Sequence, residues 1–246
     1  MSVPPASVLV TRPREDAQLL TADLERRGVG VLLEPLFEIV PIEGAAPDLR
    51  DIAGLLFTSA NGVRAFAQIS KHQNFKVFAV GDATAAAARS AGFSDVDSAG
   101  GSVEDLMTLV KDSWTPASGT LFYAAGRTIS GELAETLGAL GYEVHRMALY
   151  EAKAADALSV KLCEVMRAAK LGYALFFSPR TADTFVSLVT SACLRDACKN
   201  VEAICLSTAV ADMFAGLNWG YVTVAAEPNQ EALLTALDRR LAHTNS

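Results

Sequence analysis

Residues 8–38 read VLVTRPREDAQLLTADLERRGVGVLLEPLFE, and residues 121–151 read LFYAAGRTISGELAETLGALGYEVHRMALYE. At a constant offset of 113, Leu20, Leu24, Gly28, Val31, Leu36 and Glu38 fall on Leu133, Leu137, Gly141, Val144, Leu149 and Glu151. Each stretch opens on a short apolar run, continues with leucines four apart on one helical face, and breaks at a glycine before a second apolar run. That is the pattern of strand, helix, strand. In the first copy Pro13 suits a first helical position, Glu15 and Asp16 suit the first turn, where they complement the helix dipole, and Gly28 suits the stop.

The match extends outward from these segments. Phe57-Thr58-Ser59 meets Phe176-Phe177-Ser178 and Phe66 meets Phe185 at an offset of 119; Thr84-Ala85 meets Thr208-Ala209 at 124; Glu104 and Leu106 meet Glu231 and Leu233 at 127. The offset only grows, as loop insertions would make it, so the chain holds two copies of one unit. Short β-branched or aromatic runs alternate with helical periodicity in both, which predicts two similar α/β domains with parallel sheets and crossover helices. Strands are expected at 8–10, 29–33, 54–57, 77–80 and around Val96, then at 121–123, 143–147, 173–177, 203–206 and 221–224. Helices are expected at 15–27, 61–70, 83–91, 102–111, 129–140, 157–169, 181–190, 208–215 and 230–242, with Ser178-Pro179 as N-cap and first residue of the seventh. Leu36–Val40 and Ala148–Ala152 are a further matched pair, each extended and each following a completed strand–helix–strand. They read as paired strands connecting the domains. One copy per domain is the simplest partition, but crossing strands at 37–40 and 149–152 also permit a discontinuous one.

Composition limits the function. Of 246 residues, 51% are hydrophobic and 20% charged, enough apolar material for a real core. Lys and Arg number 21 against 28 Asp and Glu, a net charge of −7 that argues against nucleic acid held on a general basic surface and leaves room only for a local basic cleft. The apolar runs are all interrupted well short of the ~18 residues a membrane span needs. Met1–Ser7 carries no cationic segment of a secretory leader, so the cytoplasm is the expected location. Cys163, Cys193, Cys198 and Cys205 show no CxxC spacing, which fits free thiols, and His72, His145 and His243 are not spaced as metal ligands.

Chemistry is expected at the carboxyl ends of the strands, where helix N-termini offer N–H groups. Six loops there carry donors: Thr11-Arg12-Pro13-Arg14, Thr58-Ser59-Ala60-Asn61-Gly62, Gly81-Asp82-Ala83-Thr84, Gly126-Arg127-Thr128, Ser178-Pro179-Arg180-Thr181 and Ser207-Thr208. Any one of them taken alone reads better as a helix cap than as a binding loop; six at one end favour a ligand bearing several carboxylates or phosphates. GxGxxG, GxxxxGK[ST] and GxSxG are all missing, which removes the usual support for dinucleotide, P-loop and serine-hydrolase functions. Glu15-Asp16 and Glu104-Asp105 read as first-turn carboxylates rather than catalytic pairs. Tyr150 lies in a connector segment near both domains, and a phenol can donate a proton without a metal. Its repeat partner is Phe37, so packing alone explains its position as well.

The motifs VTRP (10–13), PLFEIVPI (35–42), FTSANGV (57–63), AVGDATA (79–85), LYEA (149–152) and FFSPR (176–180), in this order and spacing, resemble the uroporphyrinogen-III synthase family over nearly the full chain. The resemblance implies two α/β domains joined by a two-stranded ladder with a cleft between them, one formed by about 1–36 with 151–246 and the other by about 39–148. It implies cyclisation of hydroxymethylbilane, a linear tetrapyrrole with eight carboxylates, with loss of water and inversion of the last pyrrole ring, and with no cofactor or metal. By the same resemblance Tyr150 assists departure of the hydroxyl, Ser59, Thr84, Ser178 and Thr208 bind carboxylates, and Arg12 and Arg127 face the cleft. Two departures from the family pattern bear on substrate geometry: Cys205-Leu206-Ser207-Thr208 stands where a glycine-containing turn is usual, and Asn61 where several relatives carry a charge. We expect a monomer, in passing contact with the enzyme that supplies its substrate, with no nucleic-acid or membrane partner. The competing reading is a non-catalytic two-domain binding or sensor module for an anionic metabolite.

Overall fold

The computed structural model describes residues 7–128 and 132–244. The leader reading of Met1–Ser7, for all but Ser7, and the first residues of the helix expected at 129–140 lie outside that range. In chain order the first half forms β1 (Ser7–Val10), α1 (Arg14–Arg26), β2 (Gly30–Leu33), β3 (Phe37–Pro41), β4 (Ile52–Phe57), α2 (Ala60–Ile69), β5 (Lys76–Ala79), α3 (Asp82–Ser90), β6 (Val96–Ser98) and α4 (Val103–Ser113). The second half forms β7 (Thr120–Gly126), α5 (Leu133–Ala139), β8 (Val144–Ala154), α6 (Val160–Arg167), β9 (Tyr173–Phe176), α7 (Pro179–Ser191), β10 (Glu202–Cys205), α8 (Thr208–Ala211), β11 (Tyr221–Val224) and α9 (Gln230–Thr244).

Three expectations need correction. Pro13 stands just outside α1: its ψ of 147° is extended, and its carbonyl accepts from the N–H groups of Asp16 and Ala17, each at 3.0 Å. A proline's fixed φ suits either position, so ψ decides. The helix expected at 208–215 is α-helical only to Ala211 and tightens into a 3₁₀ turn over Asp212–Phe214. The strand expected at 143–147 and the connector at 149–152 are one strand, β8, with a bulge in its pairing opposite Ala125 and Gly126. Gly28 does end α1, with a φ of +74° that L side chains rarely adopt.

The chain divides into two compact units, Met1–Glu38 with Lys153–Ser246, and Ile39–Ala152. The first contains a five-stranded sheet of order β11-β10-β9-β1-β2; the other sheet has the order β3-β8-β7-β4-β5-β6. Setting β3 aside, the orders coincide when β7, β8, β4, β5 and β6 are laid on β1, β2, β9, β10 and β11, which are the equivalences of the sequence repeat. Each sheet therefore takes its first two strands from one copy and the other three from the other copy. The exchange is made where the chain passes through β3 and β8, which are neighbours. Ile42 N–H donates to the Leu149 carbonyl at 2.9 Å and Ala155 N–H to the Leu36 carbonyl at 3.0 Å, so one number rises as the other falls and the two segments run antiparallel.

The pleat sorts the side chains of the second unit onto two faces. Leu55 and Phe57 of β4, Val77 and Ala79 of β5, and Phe122 and Ala124 of β7 pack against α2 and α3. Leu56, Phe78, Leu121, Tyr123 and Ala125 pack on the other face with α4 and α5. Burial on both faces is why these strands read as unbroken apolar runs. Cys198 and Cys205 are buried, and burial pushes their thiols up to about 11 and about 12. No helix among the described residues is long and apolar enough to cross a membrane.

In the first unit Glu34, at the end of β2, is buried and faces the start of α6. Its carboxylate accepts from Ser159 N–H at 2.6 Å and from Ser159 Oγ at 2.7 Å, while Ser159 Oγ caps the helix by accepting from Leu162 N–H. Charge-assisted bonds of this kind are the stronger class. Glu34→Gln is expected to cost about 1–3 kcal/mol, because both bonds lose the charge of the carboxylate and the Ser159 hydroxyl must turn to accept from the amide NH₂. A lowered urea midpoint measures it; an unchanged midpoint would show that the carboxylate does not anchor the helix.

Candidate active site

In a doubly wound sheet a crevice opens where adjacent strands send their helices to opposite faces. In the second unit that point lies between β4 and β7. From β4 the chain enters α2, whose Val63 and Phe66 lie on one face of the sheet, and from β7 it reaches α5, whose Leu133 and Leu137 lie on the other. Ser59 follows β4 at this point. Its extended backbone makes it the N-cap of α2, with Oγ accepting from Gly62 N–H at 3.2 Å. The same Oγ lies 2.7 Å from the hydroxyl of Tyr150.

Tyr150 sits on β8 opposite Gly126, the last residue of β7. The Tyr150 carbonyl accepts from Arg127 N–H at 2.8 Å. The ring is half-buried. Its hydroxyl is thus held by a serine at the switch point, which plain aromatic packing does not require. The repeat partner, Phe37, is buried, with the Arg180 guanidinium over its ring at 4.5 Å.

Arg127 is well exposed, and its Nε stands 3.2 Å from a Glu151 carboxylate oxygen. Thr84, 5% exposed, lies in the first turn of α3, where Asp82 accepts from Ser98 Oγ at 2.7 Å. Tyr150, Arg127, Ser59 and Thr84 are therefore distributed over four consecutive strands, β8, β7, β4 and β5, at the carboxyl end of the sheet or opposite it in register.

The first unit repeats the arrangement between β1 and β9. Helix α1 packs with Tyr173 and Leu175, and α7 brings Phe185 against Phe176 of the opposite pleat, ring centroids 5.2 Å apart. Arg12 follows β1: its Nη1 donates to Gln230 at 3.2 Å, its Nη2 is 3.9 Å from Asp16, and its guanidinium lies 4.8 Å above the Phe177 ring. Ser178 follows β9 as the N-cap of α7, accepting from Thr181 N–H at 3.2 Å and sharing a hydrogen bond with Thr181 Oγ1 at 2.8 Å; Pro179 is the first helical residue. Thr208 follows β10, exposed, as the first residue of the four-residue α8.

The family model described as uroporphyrinogen-III synthase HemD matches residues 18–235, most of the chain. The chain belongs to the uroporphyrinogen-III synthase family. A uroporphyrinogen-III synthase of Chlorobaculum parvum is 29% identical over 212 residues, which are 77% of this chain and 82% of the relative. In fold, the crystal structure of uroporphyrinogen-III synthetase from Helicobacter pylori superposes with a TM-score of 0.65 at 19% identity, covering 96% of this chain and 99% of that one. A mutant uroporphyrinogen III synthase from Thermus thermophilus gives 0.54 at 18% identity, covering 97% and 99%. Membership gives the chain the uroporphyrinogen-III synthase activity, a carbon–oxygen lyase step of tetrapyrrole biosynthesis, and makes a tetrapyrrole its substrate.

Sequence reasoning gave no role to two residues that stand beside the candidate ones, Gly126 and Glu151. Gly126 opens a donor loop and has no side chain to signal a role; a Cβ there would come within 3.1–3.2 Å of Cζ, Cε2 and the hydroxyl of Tyr150. Glu151 was visible only as a repeat match and is the partner of Arg127. Asn61 accepts from Arg64 Nη1 at 2.6 Å. The signal for Gly126 lay in strand register, and a bulge in the β7–β8 pairing moves that register by one residue.

Proposed function

We propose that Tyr150 is the proton donor of the synthase reaction and that loop donors of both units hold the carboxylates of hydroxymethylbilane. The observation that carries this reading is the Tyr150 hydroxyl, half-buried at the switch point and hydrogen-bonded to Ser59. The phenol proton passes to the hydroxyl of the substrate, the carbon–oxygen bond breaks with its electron pair going to oxygen, and water leaves an azafulvenium cation. Attack by the substituted carbon of the last ring forms a spiro intermediate. The bond from that carbon to its original methylene bridge then breaks, the methylene carbon bonds instead to the unsubstituted α-carbon of the same ring, and that carbon's proton passes to the phenolate, giving the inverted macrocycle.

Much of that reactivity is intrinsic to the substrate, which closes without inversion when unassisted. The enzyme's task is to favour attack at the hindered carbon by holding one conformation. In this reading Thr84 and Arg127 of the second unit and Arg12, Ser178 and Thr208 of the first supply donors for carboxylates. The pairs Arg12–Asp16 and Arg127–Glu151 hold the two guanidiniums in place before substrate arrives. We further propose a cytoplasmic monomer that takes its unstable substrate in passing contact with the enzyme that makes it; the four free cysteines support a reducing compartment.

The test is to generate hydroxymethylbilane in the presence of the purified protein, oxidise the products and separate the type I and type III isomers. Type III product in molar excess over protein is expected. Type I alone, from folded protein, would favour a module that binds an anionic metabolite without turning it over.

A further inference from the structure

Ser59 was expected to bind a substrate carboxylate, yet its hydroxyl is already engaged. A hydroxyl has one proton and two lone pairs. One lone pair of Ser59 Oγ accepts from Gly62 N–H at the start of α2. The 2.7 Å contact with Tyr150 takes the proton or the other lone pair. Serine as donor is the arrangement in which the phenol proton is not spent on Ser59. It also places an O–H, polarised by the positive end of a ten-residue helix, against the oxygen on which negative charge develops.

The ring itself is constrained as well. A Cβ on Gly126 would stand 3.1–3.2 Å from Tyr150 Cζ, Cε2 and OH, so close that the ring would have to give by a few tenths of an ångström. The carbonyls of both residues are tied, Tyr150 to Arg127 N–H at 2.8 Å and Gly126 to Arg146 Nη2 at 3.2 Å.

We propose that Ser59 and Gly126 are positioning residues for the Tyr150 hydroxyl, Ser59 by donating to it and Gly126 by seating the ring, and that Ser59 is not a carboxylate ligand. This rests on the reading of Tyr150 as the proton donor. Ser59→Ala is expected to lower kcat about fivefold, the worth of one ordinary hydrogen bond, with KM unchanged. Ser59→Gly keeps a good helix cap without the hydroxyl, so it should lose the same kcat while regaining most of the stability that alanine forfeits. Gly126→Ala forces the ring to give by a few tenths of an ångström and should lower kcat in the same way.

The measurement is a double-mutant cycle combined with NMR of protein labelled at tyrosine ¹³Cζ, the Tyr150 resonance being assigned by its loss in Tyr150→Phe. If Ser59 acts through Tyr150, adding Ser59→Ala to Tyr150→Phe costs nothing more, and the ¹³Cζ resonance moves in Ser59→Gly and Gly126→Ala. A raised KM at unchanged kcat, equal losses in both backgrounds, or an unmoved resonance would overturn the positioning role while leaving Tyr150 in the reaction. Wild-type turnover by Tyr150→Phe itself would remove Tyr150 from the chemistry and the positioning role with it.

Discussion

Tyr150→Phe is expected to slow formation of type III product roughly 10–100-fold, at or below the lower end of what a positioned general acid contributes, because the substrate loses its hydroxyl unaided at a measurable rate. KM should stay near its wild-type value, since a proton delivered only as the bond breaks contributes little to ground-state binding. The ring still fits: phenylalanine keeps the contact over Gly126 and removes only the oxygen bonded to Ser59. Stability should therefore change little, leaving one half-buried serine hydroxyl to find water. As the enzymatic rate falls, spontaneous closure takes a larger share and the type I fraction rises. Turnover and isomer ratio equal to wild type, at equal stability, would sink the assignment.

Phe66→Ala should be the most damaging single change in the second unit. Phe66 is fully buried on α2, and its ring lies 5.8–6.3 Å from those of Phe57, Phe75, Phe93 and Phe122. Removing it leaves a cavity bounded by β4, β7 and α2 that these strands cannot close without losing their own contacts. The cost is about 3–5 kcal/mol, a shift of roughly 1–2 M in urea midpoint. Phe66→Leu, which refills most of the volume, should cost under about 1.5 kcal/mol. The helix that Phe66 anchors carries Ser59 at its other end, so Phe66→Ala should also lower turnover at temperatures where the protein stays folded. A cost below that of the leucine variant would show that the ring cluster does not hold α2.

By itself the sequence determined the elements and their kinship. The four-residue spacing of Leu20 and Leu24, the stop at Gly28 and the apolar runs at 54–57 and 121–123 are local signals, set by backbone sterics and by burial on one face or two. Strand and helix positions therefore came out within a few residues. The repeat offset made the two sheets equivalent before either was seen. The donor loops were legible for the same reason, since the residues that cap a helix N-terminus at a strand's carboxyl end sit next to it in the chain.

Tertiary structure decided which copy completes which sheet. Nothing local distinguishes β9 beside β1 from β4 beside β1, because both are buried parallel strands; the choice is made by the antiparallel passage of β3 beside β8. It also decided the partners of Tyr150. Ser59 lies 91 residues away and Gly126 lies 24, and what brings them together is the register of β8 on β7, shifted by a bulge. A shift of one residue turns a side chain to the other face of a sheet, and sequence periodicity does not record where such a shift falls.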